Sequence, residues 1–377
     1  MTFNVLETPA AVVDLDRLDR NLQRGADYAR EHGLALRPHI KTHKSLFVAA
    51  EQLQHGAQGL TCATPFEMEV MSSICDDLLN AYPPVGAGRA RRLLAASPRA
   101  RITVALDSIA AVDIIAEAAR SAGRTVGVYV EIDVGMHRVG ATTAADAINI
   151  ARHVTAQRPL EFSGVQLYPG HIRESVDEQD AALEQLSTML ACTLERFDDA
   201  GLTPRTVSAG STPTLWRTHE LPRITEIRPG SYAYNDRTTA AIGACEWEDC
   251  AFSVLATVVS TSVAGQAVID AGSKALGREP VRGAADEGFG QLLEHPEVIV
   301  ARMSEEHGML DLGASAWRPE IGERVRVVPN HVCVAVHLYD MTYGVRGGSV
   351  DGSVDGSVER SWPVDARGRG HTAALTA

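Results

Sequence analysis

Between about residues 10 and 240, short apolar runs alternate with longer segments of helical periodicity, and this alternation limits the fold more than any other feature. Ala10–Asp14, Ala35–Ile40, Gly59–Ala63, Ile102–Leu106, Val126–Ile132, Phe162–Leu167 and Thr206–Ser208 read as strands. Leu15–His32, Lys44–Gln54, Pro65–Ser72, Ala144–Ala156 and Asp177–Asp199 read as helices. A strand that is followed by a helix and then another strand needs a crossover, so the strands run parallel. About eight such units predict an α/β chain closed into a (β/α)8 barrel. An open doubly wound sheet is the alternative on pattern alone.

The pattern changes after residue 245. Ala251–Ser262, Ala267–Asp270, Arg324–Val328 and Val332–Leu338 are β-rich, with Gly, Pro and Asp turns between them. We expect a barrel over residues 1–244, whose first ten or so residues could join the following domain, and an all-β domain over 245–377. The four-residue repeat at 348–358 reads as an exposed loop or hairpin extension, too short for a calcium-binding array, and the tail after Asp365 as disordered.

A net charge of −13 argues against nucleic acid or an anionic membrane as partner. No apolar run is long enough to span a bilayer, and the N-terminus lacks a signal-peptide pattern, so a cytoplasmic location is expected. The six cysteines are mostly far apart in a large chain, which suits reduced thiols.

Several polar segments follow the predicted strands, at the end of a barrel where active sites are built. In Arg37-Pro38-His39-Ile40-Lys41-Thr42-His43-Lys44, Lys41 stands just past a strand; partial desolvation there favours an amine's neutral, nucleophilic form. The plainer reading is a surface lysine opening a helix. Ser208-Ala209-Gly210-Ser211-Thr212 and Arg228-Pro229-Gly230-Ser231 offer backbone N–H groups and hydroxyls late in the barrel, the usual phosphate position. Arg138, in a Gly-rich turn, suits a phenolate or carboxylate, or a salt bridge with an acid such as Asp133. His171 follows another strand and suits acid–base work or an ordinary loop hydrogen bond. Downstream, His331 and Cys333 lie two apart, on one face if the segment is a strand, and their donor types suit zinc.

Taken in order, RPHIKTHK (37–44), EIDVGMHRVG (131–140), LYPGHI (167–172), SAGSTPT (208–214), EIRPGSYAYND (226–236), DAGSKAL (270–276), SEEHGML (304–310) and PNHVC (329–333) cover nearly the whole chain. They resemble the fold-type III pyridoxal-phosphate enzymes, the alanine-racemase-like barrels. Within these the chain resembles the branch of D-threonine aldolase and metal-dependent D-serine dehydratase.

The resemblance implies a cofactor, pyridoxal 5'-phosphate, held by Lys41. Gly210, Ser211, Thr212, Gly230 and Ser231 would bind its phosphate, Arg138 would face its phenolic oxygen, and Arg228 and Tyr168 would lie on the pyridine side. His331 and Cys333 would bind Zn²⁺ or another divalent metal. Family members with aldolase activity tend to carry an acid in place of this cysteine, which favours the dehydratase. The expected activity is therefore a lyase on 3-hydroxy-D-amino acids, by β-elimination to a 2-keto acid and ammonia. The alternatives are retro-aldol cleavage, racemisation, or a non-catalytic cofactor-binding role. The family also implies a homodimer.

Overall fold

The computed structural model describes residues 6–281, 287–313, 315–346 and 357–368. Arg24–Gly230 form one compact unit; the chain up to Gln23, together with Ser231–Arg367, forms the other. Strand β1 (Ala10–Asp14) has the expected bounds but does not open the barrel. It pairs antiparallel with one strand and parallel with another of the second unit's sheet. Helix α1 (Leu15–Glu31) follows it and crosses the division.

The first unit holds eight parallel strands: β2 (Ala35–Leu36), β3 (Leu60–Cys62), β4 (Asp77–Asn80), β5 (Arg101–Leu106), β6 (Val126–Ile132), β7 (Leu160–Leu167), β8 (Thr206–Ala209) and β9 (Glu226–Ile227). Their order is β2-β9-β8-β7-β6-β5-β4-β3. The ring closes where the chain past β2 meets β3: Thr61 N donates to Pro38 O at 2.9 Å, and His39 bridges Thr61 in parallel. Strand β2 is shorter than the expected Ala35–Ile40 because Pro38 has no N–H to give a ladder. Strands β5 and β6 are almost continuously buried, as parallel strands covered on both faces must be.

Helices α2 (Leu46–Gln54), α3 (Pro65–Met71), α4 (Ala87–Leu94), α5 (Ile109–Ala122), α6 (Ala144–Ala156) and α7 (Asp180–Asp199) alternate with these strands. Ser45, Thr64, Ser108 and Thr143 stop four of the preceding segments and start the helices. Each side-chain oxygen accepts an N–H of the first turn, which would otherwise lack a partner.

The second unit is a nine-stranded, mostly antiparallel sheet. After the short helix α8 (Arg237–Ala241) come β10 (Phe252–Ser260), β11 (Gln266–Ile269), helix α9 (Ser273–Leu276), β12 (Gly290–Leu292), β13 (Ile299–Met303), β14 (Gly308–Asp311) and β15 (Arg324–Pro329). Helix α10 (Val332–His337), β16 (Met341–Arg346) and β17 (Ser357–Pro363) complete it, in the order β11-β14-β13-β12-β15-β10-β1-β16-β17. The repeat at 348–356 and the chain after Gly368 lie outside the described residues.

One element differs in kind from the sequence reading. Val332–Leu338 alternates β-branched residues like a strand, yet Val332–His337 is helical. Asp236 Oδ2 accepts Val332 N at 3.0 Å, supplying from a distant segment the cap that a first helical turn needs. That contact outweighs the weak strand preference of the valines.

Candidate active site

In the barrel unit the candidate residues all lie just past strand C-terminal ends. Lys41 sits in the 3-10 turn Ile40–Thr42 after β2, and the ring Nδ1 of His39 accepts the Lys41 backbone N–H at 3.4 Å. Arg138 lies in the loop after β6; Tyr168 and His171 follow β7. Tyr168 gathers two of the cations: Lys41 Nζ is 5.7 Å from its ring centroid and Arg138 Cζ is 4.9 Å away. The electron-rich ring face thus holds both heads near one point of the mouth. A Cβ on Gly135, which has a φ of +116°, would come 3.1 Å from His171 Nε2, so this glycine lets the imidazole approach the Arg138 loop. His171 Nδ1 is buried and has no hydrogen-bond partner among the described residues.

Past β8, Gly210 adopts φ +128°, a region that favours glycine, and a Cβ there would come 3.0 Å from Arg228 N. Ser211 Oγ and Thr214 Oγ1 are 3.0 Å apart. Beside them the Thr212 hydroxyl is buried with no partner among the described residues. A buried hydroxyl without a partner is costly, and a phosphate group would satisfy it. A Cβ on Gly230 would meet Thr42 Oγ1 at 3.0 Å, so this turn is equally tight. These residues fit the phosphate end of pyridoxal phosphate, with Lys41 as the amine. Ser231, also expected at the phosphate, opens the turn Ser231–Ala233 of the other unit.

The interior below the mouth is polar. Arg228 is buried, donating from Nη1 to Ser208 Oγ and from Nη2 to Leu167 O at 2.9 Å. Burial pushes its pKa down, while the Glu226 and Glu131 carboxylates oppose the shift. Glu131 is itself held above the usual carboxylate range by burial, against the pull of Arg228, and Gln166 Nε2 donates to it at 3.2 Å. Burial, reinforced by Lys41 and Arg228, keeps His39 neutral, well below the ordinary imidazole range. The sequence motifs assign no role to Glu131, Ser208 or Glu226. The visible signal was a charged residue inside an otherwise apolar strand, as in Val126–Ile132. A cavity of about 620 Å³ opens at the other end of the barrel, lined by Arg37, Asp77, Arg101, Tyr129, Glu161 and Glu226 among others, and holds none of the candidate residues.

In the second unit, His331 has extended backbone (φ −138°, ψ 105°) and caps α10, and Cys333 lies in its first turn. The pair is therefore not on a strand, yet the two side chains still meet in a hydrogen bond. Asp236, buried, places Oδ2 3.7 Å from His331 Nδ1, and Glu279 Oε2 is 4.0 Å from the same atom. Burial disfavours the His331 cation, but the Cys333 sulfur and the two carboxylates outweigh it and push the pKa up to about 9. Nitrogen and sulfur donors meeting in a cation-favouring pocket fit a borderline-soft divalent metal.

The family model for the alanine racemase N-terminal domain matches residues 13–238, more than half of the chain. The chain belongs to the alanine-racemase-like pyridoxal-phosphate family. A putative serine dehydratase domain matches residues 251–345 of this family member. It is 30% identical to a 3-hydroxy-D-aspartate aldolase of Paracoccus denitrificans, over 98% of this chain and 95% of that protein. It is 34% identical to a D-threo-3-hydroxyaspartate dehydratase of Delftia sp., over 88% and 92%. The crystal structure of D-threonine aldolase from Filomicrobium marinum matches with a TM-score of 0.88 at 33% identity, covering 98% of this chain and 97% of that one. The solved Delftia dehydratase gives 0.86 at 32%, covering 98% and 100%. Other matching structures of a D-threo-3-hydroxyaspartate dehydratase include one with a histidine replaced by alanine, and a metal-free form with a cysteine, two positions on, replaced by alanine. These relatives place the chain among pyridoxal-phosphate-dependent lyases of D-amino acids. Among the described residues, no helix is long and apolar enough to cross a membrane.

Proposed function

We propose that the chain is a pyridoxal-phosphate- and zinc-dependent lyase that removes water from 3-hydroxy-D-amino acids, giving a 2-keto acid and ammonia. The observation that carries this reading is the meeting of His331 with a sulfur donor, Cys333, at the start of α10. Structures of a D-threo-3-hydroxyaspartate dehydratase support it, since a metal-free form lacks a cysteine two positions after a histidine also chosen for replacement.

Lys41 would hold the cofactor, with Gly210, Ser211, Thr212, Gly230 and Ser231 around its phosphate, Arg138 at its phenolic oxygen, and Arg228 and Tyr168 at the ring. The bound cofactor withdraws electrons from substrate Cα and weakens the bonds there. The Lys41 amine would take the proton from substrate Cα. His171 would exchange a proton with the substrate; its buried Nδ1 has no hydrogen-bond partner among the described residues, which supports this role. His331 and Cys333 would hold a zinc ion, whose Lewis acidity would favour loss of the substrate hydroxyl.

The second reading is retro-aldol cleavage to glycine and an aldehyde, favoured by the near-complete overlap with the two aldolases. Purified protein with cofactor and zinc, given D-serine, D-threonine and D-threo-3-hydroxyaspartate, separates the two. Keto acid and ammonia support elimination, whereas glycine and an aldehyde without keto acid would refute it. Replacement of Cys333 by alanine should remove both bound metal and turnover; if both survive, the zinc assignment fails.

A further inference from the structure

We infer that Glu226 is a positioning residue for the Arg228 guanidinium, acting through the hydroxyl of Ser208. The inference rests on the reading above, in which Arg228 faces the cofactor ring. Register puts Glu131 opposite Gln166, Gln166 opposite Ser208, and Ser208 opposite Glu226, so four adjacent strands contribute one polar layer to the barrel. All four side chains are buried, where barrel interiors usually carry branched apolar residues.

A directed chain of hydrogen bonds runs through this layer. Arg228 Nη1 donates to Ser208 Oγ, and Ser208 Oγ donates to Glu226 Oε1 at 2.5 Å. Glu226 Oε2 accepts from Arg37 Nε at 2.6 Å. Arg37 in turn holds Asp77 with two bonds of 2.9 and 3.0 Å, and the exposed Arg101 also binds Asp77. A serine hydroxyl has one proton. Given to the Glu226 carboxylate, it leaves the lone pairs of Ser208 facing Arg228. Arg37 fixes the Glu226 carboxylate from the other side, so its orientation does not depend on the ring above. An amide at 226 would lose the countercharge and turn its NH2 either on Ser208 or on Arg37.

Ser208→Ala and Glu226→Gln test this with three readouts. In the cofactor-free protein, the Arg228 guanidinium NMR signal, assigned by its absence in Arg228→Lys, should shift in both variants. With cofactor bound, both should move the absorption maximum of the lysine-bound cofactor. The turnover kcat should fall about tenfold with KM little changed. Ser208→Ala keeps the Arg37–Glu226 pair, so it should fold even if Glu226→Gln does not. An unmoved Arg228 signal in Ser208→Ala overturns the relay, whether or not cofactor binds. A moved signal with unchanged spectrum and kcat overturns the role in catalysis. Wild-type protein that takes up no cofactor would instead refute the assignment of Lys41 and Arg228, while the NMR signal still decides the relay.

Discussion

His43, two residues past Lys41, should make the protein lose stability as the pH falls through the imidazole range. The ring is 1% exposed; Nδ1 accepts Ser45 N at 3.2 Å and Nε2 lies 3.2 Å from Gln52 Oε1. The neutral ring with its proton on Nε2 satisfies both contacts, and protonating Nδ1 would set two N–H groups against each other. Burial, opposed by Gln52, pushes the pKa down to about 4, against roughly 6.5 for a free histidine. Unfolding therefore lets His43 take up a proton between about pH 6.5 and the folded value of about 4. The resulting loss grows as pH falls and levels off below the folded value, at about 3 kcal/mol in total. Between pH 7 and pH 5 the share is about 2 kcal/mol. Other groups also titrate, so the assay is urea unfolding of wild type and His43→Gln at both pH values. The variant loses a roughly constant amount of stability, but its pH dependence should be shallower by about that 2 kcal/mol. An equal pH dependence in the two proteins would show that His43 is already charged in the fold, or that the site opens to water.

Three further outcomes follow from the same geometry. Lys41→Ala should abolish the absorption band of lysine-bound cofactor and lower turnover by about a thousandfold or more; survival of the band would move the assignment to another lysine. Thr212→Val should weaken cofactor binding about tenfold without lowering the melting temperature of the cofactor-free protein, because the hydroxyl has no partner among the described residues to lose; fluorescence titration with pyridoxal phosphate measures it. Arg37→Met removes the guanidinium paired with the buried Glu226, while Asp77 keeps Arg101, and should cost about 3–5 kcal/mol in urea unfolding; a loss below about 1 kcal/mol would mean the Glu226 charge is reached by water.

The barrel was legible because its signal is local. Val126–Ile132 was bounded to the residue, and Ile102–Leu106 to within one, since a strand buried on both faces is one apolar run. Asp77–Asn80 and Glu226–Ile227 escaped for opposite reasons: the first has charged and polar ends, the second only two ladder residues. The site loops were legible too, because polar residues directly after an apolar strand mark the mouth of a barrel. Pairings across the chain were not. Nothing local to Ala10–Asp14 says that it joins strands beginning at Phe252 and Met341, and nothing local to Val332 says that Asp236 caps it. The Glu131–Gln166–Ser208–Glu226 layer was invisible for the same reason, since register between strands is a tertiary fact.

The surroundings of the proposed metal pair suggest how it would behave without its ion. Asn330, next to His331, accepts from Arg237 Nη1 at 3.2 Å, and its Nδ2 donates to Glu279 O at 3.0 Å and Gly288 O at 2.8 Å. Its carbonyl accepts Thr238 Oγ1 at 2.7 Å, and on the other side Asp236 holds Val332 N. The backbone that carries His331 and Cys333 is thus tied down by protein groups alone. Small zinc domains that unfold without metal have no such ties; there, ion binding also supplies the folding energy. Here the ordering cost is met when the β sheet folds, so most of the binding energy of the proposed metal would be left for affinity. The carboxylates of Asp236 and Glu279, 3.7 and 4.0 Å from His331 Nδ1, would add negative charge that favours a cation beside the pair. A preformed pair of this kind should release its ion to a chelator, and take it back, without passing through an unfolded state.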